Sequence, residues 1–200
     1  MVQPGVEFSG EHVVEYDRKE AKALTDKLRD FDSLVFEGHS TDYQKRKKLK
    51  EMVEDGVAIL KVGPALTFYM REALFALTVI EKELGLEPVS GLRDILEKAM
   101  LARPGDWINY YHGSDKDLAY KRKYSFLDRS RYYYSDDEVN KAVNKLVSNI
   151  NSNHIPDSIL SQYLPTAYVR LRDAGVPFSA ENLIKARIKD CIDDYLFATG

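Results

Sequence analysis

The sequence predicts an α/β fold of the TIM (β/α)8 barrel kind, present as three βα units followed by a helical extension. Three observations predict it. The runs Leu34–Glu37 and Val57–Val62, rich in β-branched and large apolar residues, end abruptly in polar side chains and pass directly into helical periodicity. A barrel presents its chemistry in this way, because the strand interior fills the core and the C-terminal strand end carries reactive groups. The unit length of roughly 25 to 30 residues suits βαβ construction, and after Gly63 the alternation gives way to helices alone.

Val2–Phe8 reads as the first strand. Asp17 is placed to cap a helix over Arg18–Phe31, where Ala21, Leu24 and Leu28 recur at helical spacing. Leu34–Glu37 is the second strand, Thr41–Asp55 the helix after it, and Gly56 the residue that ends that helix ahead of the third strand, Val57–Val62. Pro64 opens a long apolar helix to about Leu84, and Ser90 caps another over Leu92–Leu101. Further helices are predicted at Asp136–Ile150, Asp157–Tyr163, Thr166–Ala174 and Ala180–Phe197. The division is therefore a barrel part, residues 1–85, and a helical extension packed on it, residues 86–200. Three parallel strands cannot close a barrel that needs eight. The chain is expected to be a fragment, a truncated gene product or half of a split enzyme.

Composition narrows the class of function. With 44% hydrophobic and 30% charged residues, nothing suggests disorder, and a net charge of −3 argues against a general nucleic-acid binder. The one dense basic run, Lys45–Lys50, falls on a predicted helix and reads first as a solvated face. Cys191 is the only cysteine, so no intrachain disulfide is possible and a reducing compartment, the cytoplasm, is the expected location. No apolar run approaches the length of a membrane span.

Candidate site residues lie at the strand ends. His39 is suited to bind a divalent metal through a ring nitrogen or to act directly in catalysis, with a hydrogen-bonded structural histidine as the plainer reading. Glu7 and Asp42 are candidate proton-transfer or metal-orienting carboxylates, with an ion pair and a helix cap as their plainer alternatives. Lys61 and Gly63 precede a helix opened by Pro64, a combination of cation, close-approach backbone and helix N-terminus that suits a phosphate. A salt bridge, or a Schiff-base lysine, are the other readings of Lys61. The segment Arg122–Tyr134 interleaves cations with aromatic rings, so Arg129 and Arg131 are candidates for phosphate or for a protein partner. His12, His112 and His154 have no ligand-like spacing and are expected on the surface.

Five blocks, Val2–Phe8, Leu34–Gln44, Ala58–Phe68, Tyr124–Tyr133 and Ser161–Pro165, occur in the order in which they stand in a known family. Through them the chain resembles the non-catalytic subunit of class II D-tagatose-1,6-bisphosphate aldolase, the GatZ/KbaZ family, over the C-terminal part of a protein roughly twice as long. The resemblance implies an aldolase-type barrel of which these are the last three strands, with Met1 standing where the family has an interior strand residue. It implies an accessory subunit that supports the activity and stability of a separate catalytic aldolase subunit in galactitol, tagatose or N-acetylgalactosamine catabolism. For the class II reaction it implies a divalent metal, Zn2+, that polarises the ketose carbonyl, and a sugar phosphate as ligand. Older labels in the family read tagatose 6-phosphate kinase, but this sequence offers no glycine-rich ATP loop. The competing expectation is an enzyme in its own right, a metal-dependent sugar-phosphate aldolase or 4-epimerase, because Glu7, His39, Asp42 and Lys61 stand where a scaffold has no need of them.

Overall fold

The computed structural model describes residues 1–200. Its N-terminal third begins with a departure from the predicted strand. Val2 does pair in parallel with the second strand, donating its N–H to the Glu37 carbonyl (2.8 Å) and accepting from the His39 N–H (2.9 Å). Pro4 then removes a donor, and Gly5, at φ +77°, turns the chain away. The chain next forms an antiparallel ribbon, β1 (Glu7–Phe8) with β2 (Val13–Val14), in place of the continued barrel strand. Asp17 caps α1 (Arg18–Leu28), its side chain accepting from the Lys19 amide.

β3 (Phe36–Gly38) and β4 (Val57–Leu60) pair in parallel across α2 (Arg46–Glu54), which is the predicted βαβ unit. Two paired parallel strands and a single bridge are too few to establish a barrel. α2 starts five residues later than predicted, because Ser40 and Tyr43 adopt left-handed backbone (φ +57° and +62°) that no helix accommodates. On β4, Val57 is fully buried and Ile59 half exposed.

The helical part comprises α3 (Ala65–Glu83), α4 (Leu92–Ala102), α5 (Asp115–Tyr124), α6 (Asp137–Asn151), α7 (Asp157–Tyr163), α8 (Pro165–Asp173) and α9 (Ala180–Thr199), with 3₁₀ turns at Pro104–Asp106 and Arg129–Tyr133. The sequence does not predict α5. Its face is strongly polar, so no apolar period marks it, and a Ser114–Asp117 capping box starts it instead. Ser90 does not cap α4, because its N–H and hydroxyl both go to the buried Glu81 carboxylate, and Gly91 at φ +63° takes the cap position. No helix is long and apolar enough to cross a membrane.

Two apolar cores hold these elements. The smaller gathers Val6, Tyr16, Leu49, Met52 and Val57 beneath the sheet and is closed by Ala198 of α9. The larger runs through α3, α4, α6, α7, α8 and α9, from Ala73 and Leu77 to Leu146, Leu171 and Leu183. The second half of α3 thus belongs to the helical core, and α9 reaches both, so packing is continuous across the 85/86 division. This arrangement seats the loops after β3 and β4 against α3 and α9.

Candidate functional site

Because β3 and β4 run parallel, their C-terminal ends open on the same edge. Glu37 and His39, two residues apart, project to one side of the strand, and Lys61 follows the neighbouring strand at the same level. The three meet at one atom: His39 Nε2 is 3.1 Å from Glu37 Oε1 and 3.4 Å from Lys61 Nζ. Protonated, that nitrogen donates to the carboxylate; unprotonated, it accepts from the ammonium. An imidazole between a carboxylate and an ammonium can pass a proton to or from a group bound at the strand ends.

The loop after β3 is held at successive residues. Thr41 is fully buried and its hydroxyl donates to the Lys61 carbonyl (2.8 Å), tying the β3 exit to the β4 exit. Tyr195 of α9 donates to the Thr41 carbonyl (3.1 Å), with its oxygen also 3.1 Å from the Thr41 hydroxyl. Tyr43 donates to the Phe126 carbonyl (2.6 Å) and packs its ring against Phe8, Phe68 and Phe126. Such fixings sustain the left-handed Ser40 and Tyr43, a conformation that costs free energy in residues bearing a Cβ.

Asp42, 2% exposed, turns inward. Its Oδ1 accepts from the amides of Gly63 (2.8 Å) and Ala65 (2.9 Å), and Oδ2 from Gly63 (3.0 Å). The carboxylate therefore sits on the positive end of α3, not at the start of the helix after β3. Burial pushes its carboxyl above the ordinary value, against the pull of the Ala65, Gly63 and its own backbone amides and the charge of Arg131. A Cβ on Gly63 would come to 3.1 Å from Asp42 Oδ2, a tight approach to the carboxylate that its amide holds. The Gly63 amide is already donated to Asp42, so an anion approaching Lys61 meets the ammonium without that amide. Beside this group, burial pushes the Cys191 thiol up to about 11.

Behind the loop lies a buried ion pair that sequence reading did not single out. Arg71, in the apolar run of α3, donates through Nε to Asp128 Oδ1 (2.7 Å) and through Nη1 to the Lys123 carbonyl, and its guanidinium lies over the Phe68 ring (4.5 Å). Asp128, itself left-handed at φ +43°, also accepts from Thr67 (2.6 Å) and Ser130 (3.0 Å). All three non-glycine residues with left-handed backbone, Ser40, Tyr43 and Asp128, thus belong to two blocks that pack on one another through Tyr43 and Phe126. Arg71 left a signal, a single arginine amid Phe68, Leu74, Phe75 and Leu77. Glu37 left a weaker one, its two-residue spacing from His39, and Tyr195 left none, being 154 residues from Thr41.

The remaining predicted residues fall elsewhere. Glu7 is exposed in the β1–β2 ribbon, because the chain turned at Gly5, and it joins no hydrogen bond with the strand-end cluster. Arg131 donates to the carbonyls of Leu127 (2.6 Å) and Asp128 (3.1 Å), and its charge acts on Asp42. Arg129 donates to the Asp106 carbonyl (2.5 Å) and stacks on Tyr110, with no hydrogen bond or ion pair to the cluster. The metal expectation for His39 meets a donor set of one imidazole and one carboxylate with an ammonium beside it, and no group of three ligating residues forms. A catalytic zinc takes three protein ligands. The residues of this chain do not by themselves fit the ion.

Fold and site together define an α/β protein with a βαβ unit whose strand ends carry a Glu–His–Lys cluster, backed by a helical assembly. Residues 1–200 match the family described as D-tagatose-1,6-bisphosphate aldolase subunit GatZ/KbaZ-like, and the chain belongs to that family. A crystal structure described as a probable tagatose 6 phosphate kinase from Sinorhizobium meliloti 1021 is similar over 100% of this chain, at 42% sequence identity and a TM-score of 0.92. The chain spans 51% of that protein's length.

Proposed function

We propose that this chain acts as an accessory subunit of a class II tagatose-1,6-bisphosphate aldolase, supporting the activity and stability of a separate catalytic subunit in galactitol, tagatose or N-acetylgalactosamine catabolism. The family match over all 200 residues carries the reading. The buried carboxylates support it, since Asp42 and Asp128 are committed to holding loops and helix ends. Lys61, which makes no ion pair with a carboxylate, supplies a cation for the phosphate of a sugar phosphate. Adding the protein to the catalytic subunit should raise its rate of tagatose-1,6-bisphosphate cleavage and its melting temperature. An unchanged rate and melting temperature at saturating protein would overturn the reading.

One observation favours a second reading, an enzyme in its own right acting on tagatose or fructose phosphates as aldolase or 4-epimerase. The Glu37–His39–Lys61 cluster is a proton-transfer arrangement at the strand ends. The same preparation assayed without the catalytic subunit, with and without Zn2+, separates the two. Turnover that His39→Ala abolishes supports the second reading, and no turnover in either condition supports the first.

A further inference from the structure

We propose that the face built by Arg129, Tyr110 and Tyr132, with Ile108 beside it, is the surface that docks a carboxylate-bearing patch of the catalytic subunit. This rests on the accessory-subunit reading and adds to it the place of contact. In a chain of net charge −3, two guanidiniums stand here without any ion pair to a carboxylate. Both are set in aromatic stacks: Arg129 lies 3.7 Å from the Tyr110 ring centre and 4.6 Å from that of Tyr132, and Arg131 lies 4.5 Å from Tyr132. The stacking is pinned from below. Arg129 Nε donates to the Asp106 carbonyl, its own amide donates to the buried Tyr111 hydroxyl (3.1 Å), and Trp107 stacks on Tyr111 within the helical core.

The exposed surface has the make-up of an interface centre. Ile108 (50% exposed), Tyr110 (51%) and Tyr132 (44%) offer apolar area at small conformational cost, and an arginine already held by stacking loses little further freedom on pairing. Charge complementarity selects the occupant. Arg131 donates both Nη groups to neighbouring oxygens, whereas Arg129 spends Nε on a carbonyl and reaches only the Tyr132 hydroxyl, at 3.4 Å, through Nη1; its remaining Nη donors have no partner in the chain, and a carboxylate is an acceptor for them. Shape weighs against a small sugar phosphate. Three clefts are lined by Glu72 with Arg187, by His12, Tyr110 and His112, and by Thr78 with Lys123; the second borders the face at Tyr110, but none of the three includes Arg129, Arg131 or Tyr132. A second apolar face exists on α9, at Ile192, Leu196 and Phe197, but Arg46 and Lys50 already lie over its phenyl ring.

Affinity of the full protein for the immobilised catalytic subunit tests the assignment. Arg129→Glu should weaken binding by about 30-fold or more, the scale of a hot-spot residue, and Tyr110→Ala, which removes the half-exposed ring on which Arg129 stacks, by about 10-fold. Arg129→Lys, keeping charge without the planar stack, should fall between wild type and Arg129→Glu. Tagatose 6-phosphate titrated into Arg129→Glu should bind as it does to wild type. Wild-type affinity in Arg129→Glu and Tyr110→Ala together with loss of binding in Leu196→Ser would move the surface to α9 and overturn the proposal while leaving the accessory role intact. Loss of sugar-phosphate binding in Arg129→Glu would overturn it by making the face a substrate site. Failure of the wild type to bind or activate the catalytic subunit would remove the role on which it rests.

Discussion

Replacing Asp42 by alanine removes the acceptor of two backbone amides at the entrance of α3. The Ala65 amide is buried and has no water to turn to, and the Gly63 amide is half-buried. An orphaned buried donor costs about 1–3 kcal/mol, and a lost side-chain cap about 1 kcal/mol. Asp42→Ala should therefore destabilise the protein by about 3 kcal/mol. For a chain of this size that is a fall in melting temperature of about 6–12 °C. Asp42→Asn is the informative companion, because Oδ1 alone already serves both amides and the amide side chain keeps such an oxygen. It should cost less than about 1 kcal/mol. The two variants also differ in pH dependence. Burial raises the Asp42 carboxyl in the folded chain, so the folded state holds this proton more tightly than the unfolded state does. The stability that this group contributes is greatest below the ordinary carboxylate value and declines as pH rises through the raised value. Asp42→Asn should flatten that decline. Urea unfolding of the three proteins from about pH 3 to about pH 8, a span that brackets carboxylate titration, is the measurement. An Asp42→Ala loss below about 1 kcal/mol, or equal losses in the two variants, would refute the reasoning.

Asp128→Ala should cost about 3–5 kcal/mol by leaving the Arg71 guanidinium buried without its counter-charge, whereas Arg71→Met with Asp128→Ala should recover part of that loss; calorimetry that finds the double variant no better than Asp128→Ala would show that the pair is not the cause. Tyr195→Phe should cost about 1 kcal/mol through the Thr41 contacts and shift the His39 ring resonances, since the loop it releases carries the histidine; unchanged resonances would separate α9 from the site. Lys61→Met should weaken tagatose 6-phosphate binding by about 1.5–3 kcal/mol, while Lys47→Met, on the exposed and salt-screened face of α2, should change it little; equal affinities in calorimetry would remove Lys61 from the ligand site.

Sequence alone determined the elements whose signals are local. The βαβ unit from β3 to β4 came from apolar runs bounded by turn residues, the α1 cap from Asp17, and α3, α4, α6, α7 and α9 from apolar spacing. It also determined the family, because the five blocks keep their order whatever the fold does with them. That His39 and Lys61 stand at strand ends was legible too; that they meet there is shown only by the parallel pairing of β3 and β4. Only the tertiary structure decided what each polar group does there. Asp42 reads as the cap of the nearer helix, yet past the left-handed Ser40 and ahead of Tyr43 it accepts from the amides of Gly63 and Ala65 at the start of α3, 21 and 23 residues on. Glu7 reads as a strand-end carboxylate, yet a proline without a donor and a glycine at positive φ lead it into an exposed ribbon. The partners of Thr41, Arg71 and Tyr43 lie 154, 57 and 83 residues away. Hydrogen bonding is directional and short-ranged, so such pairings are fixed by the packing of α9 on α2 and α3 and of the Tyr124–Tyr133 block on Tyr43, Phe68 and Arg71, and no local pattern in the chain records them.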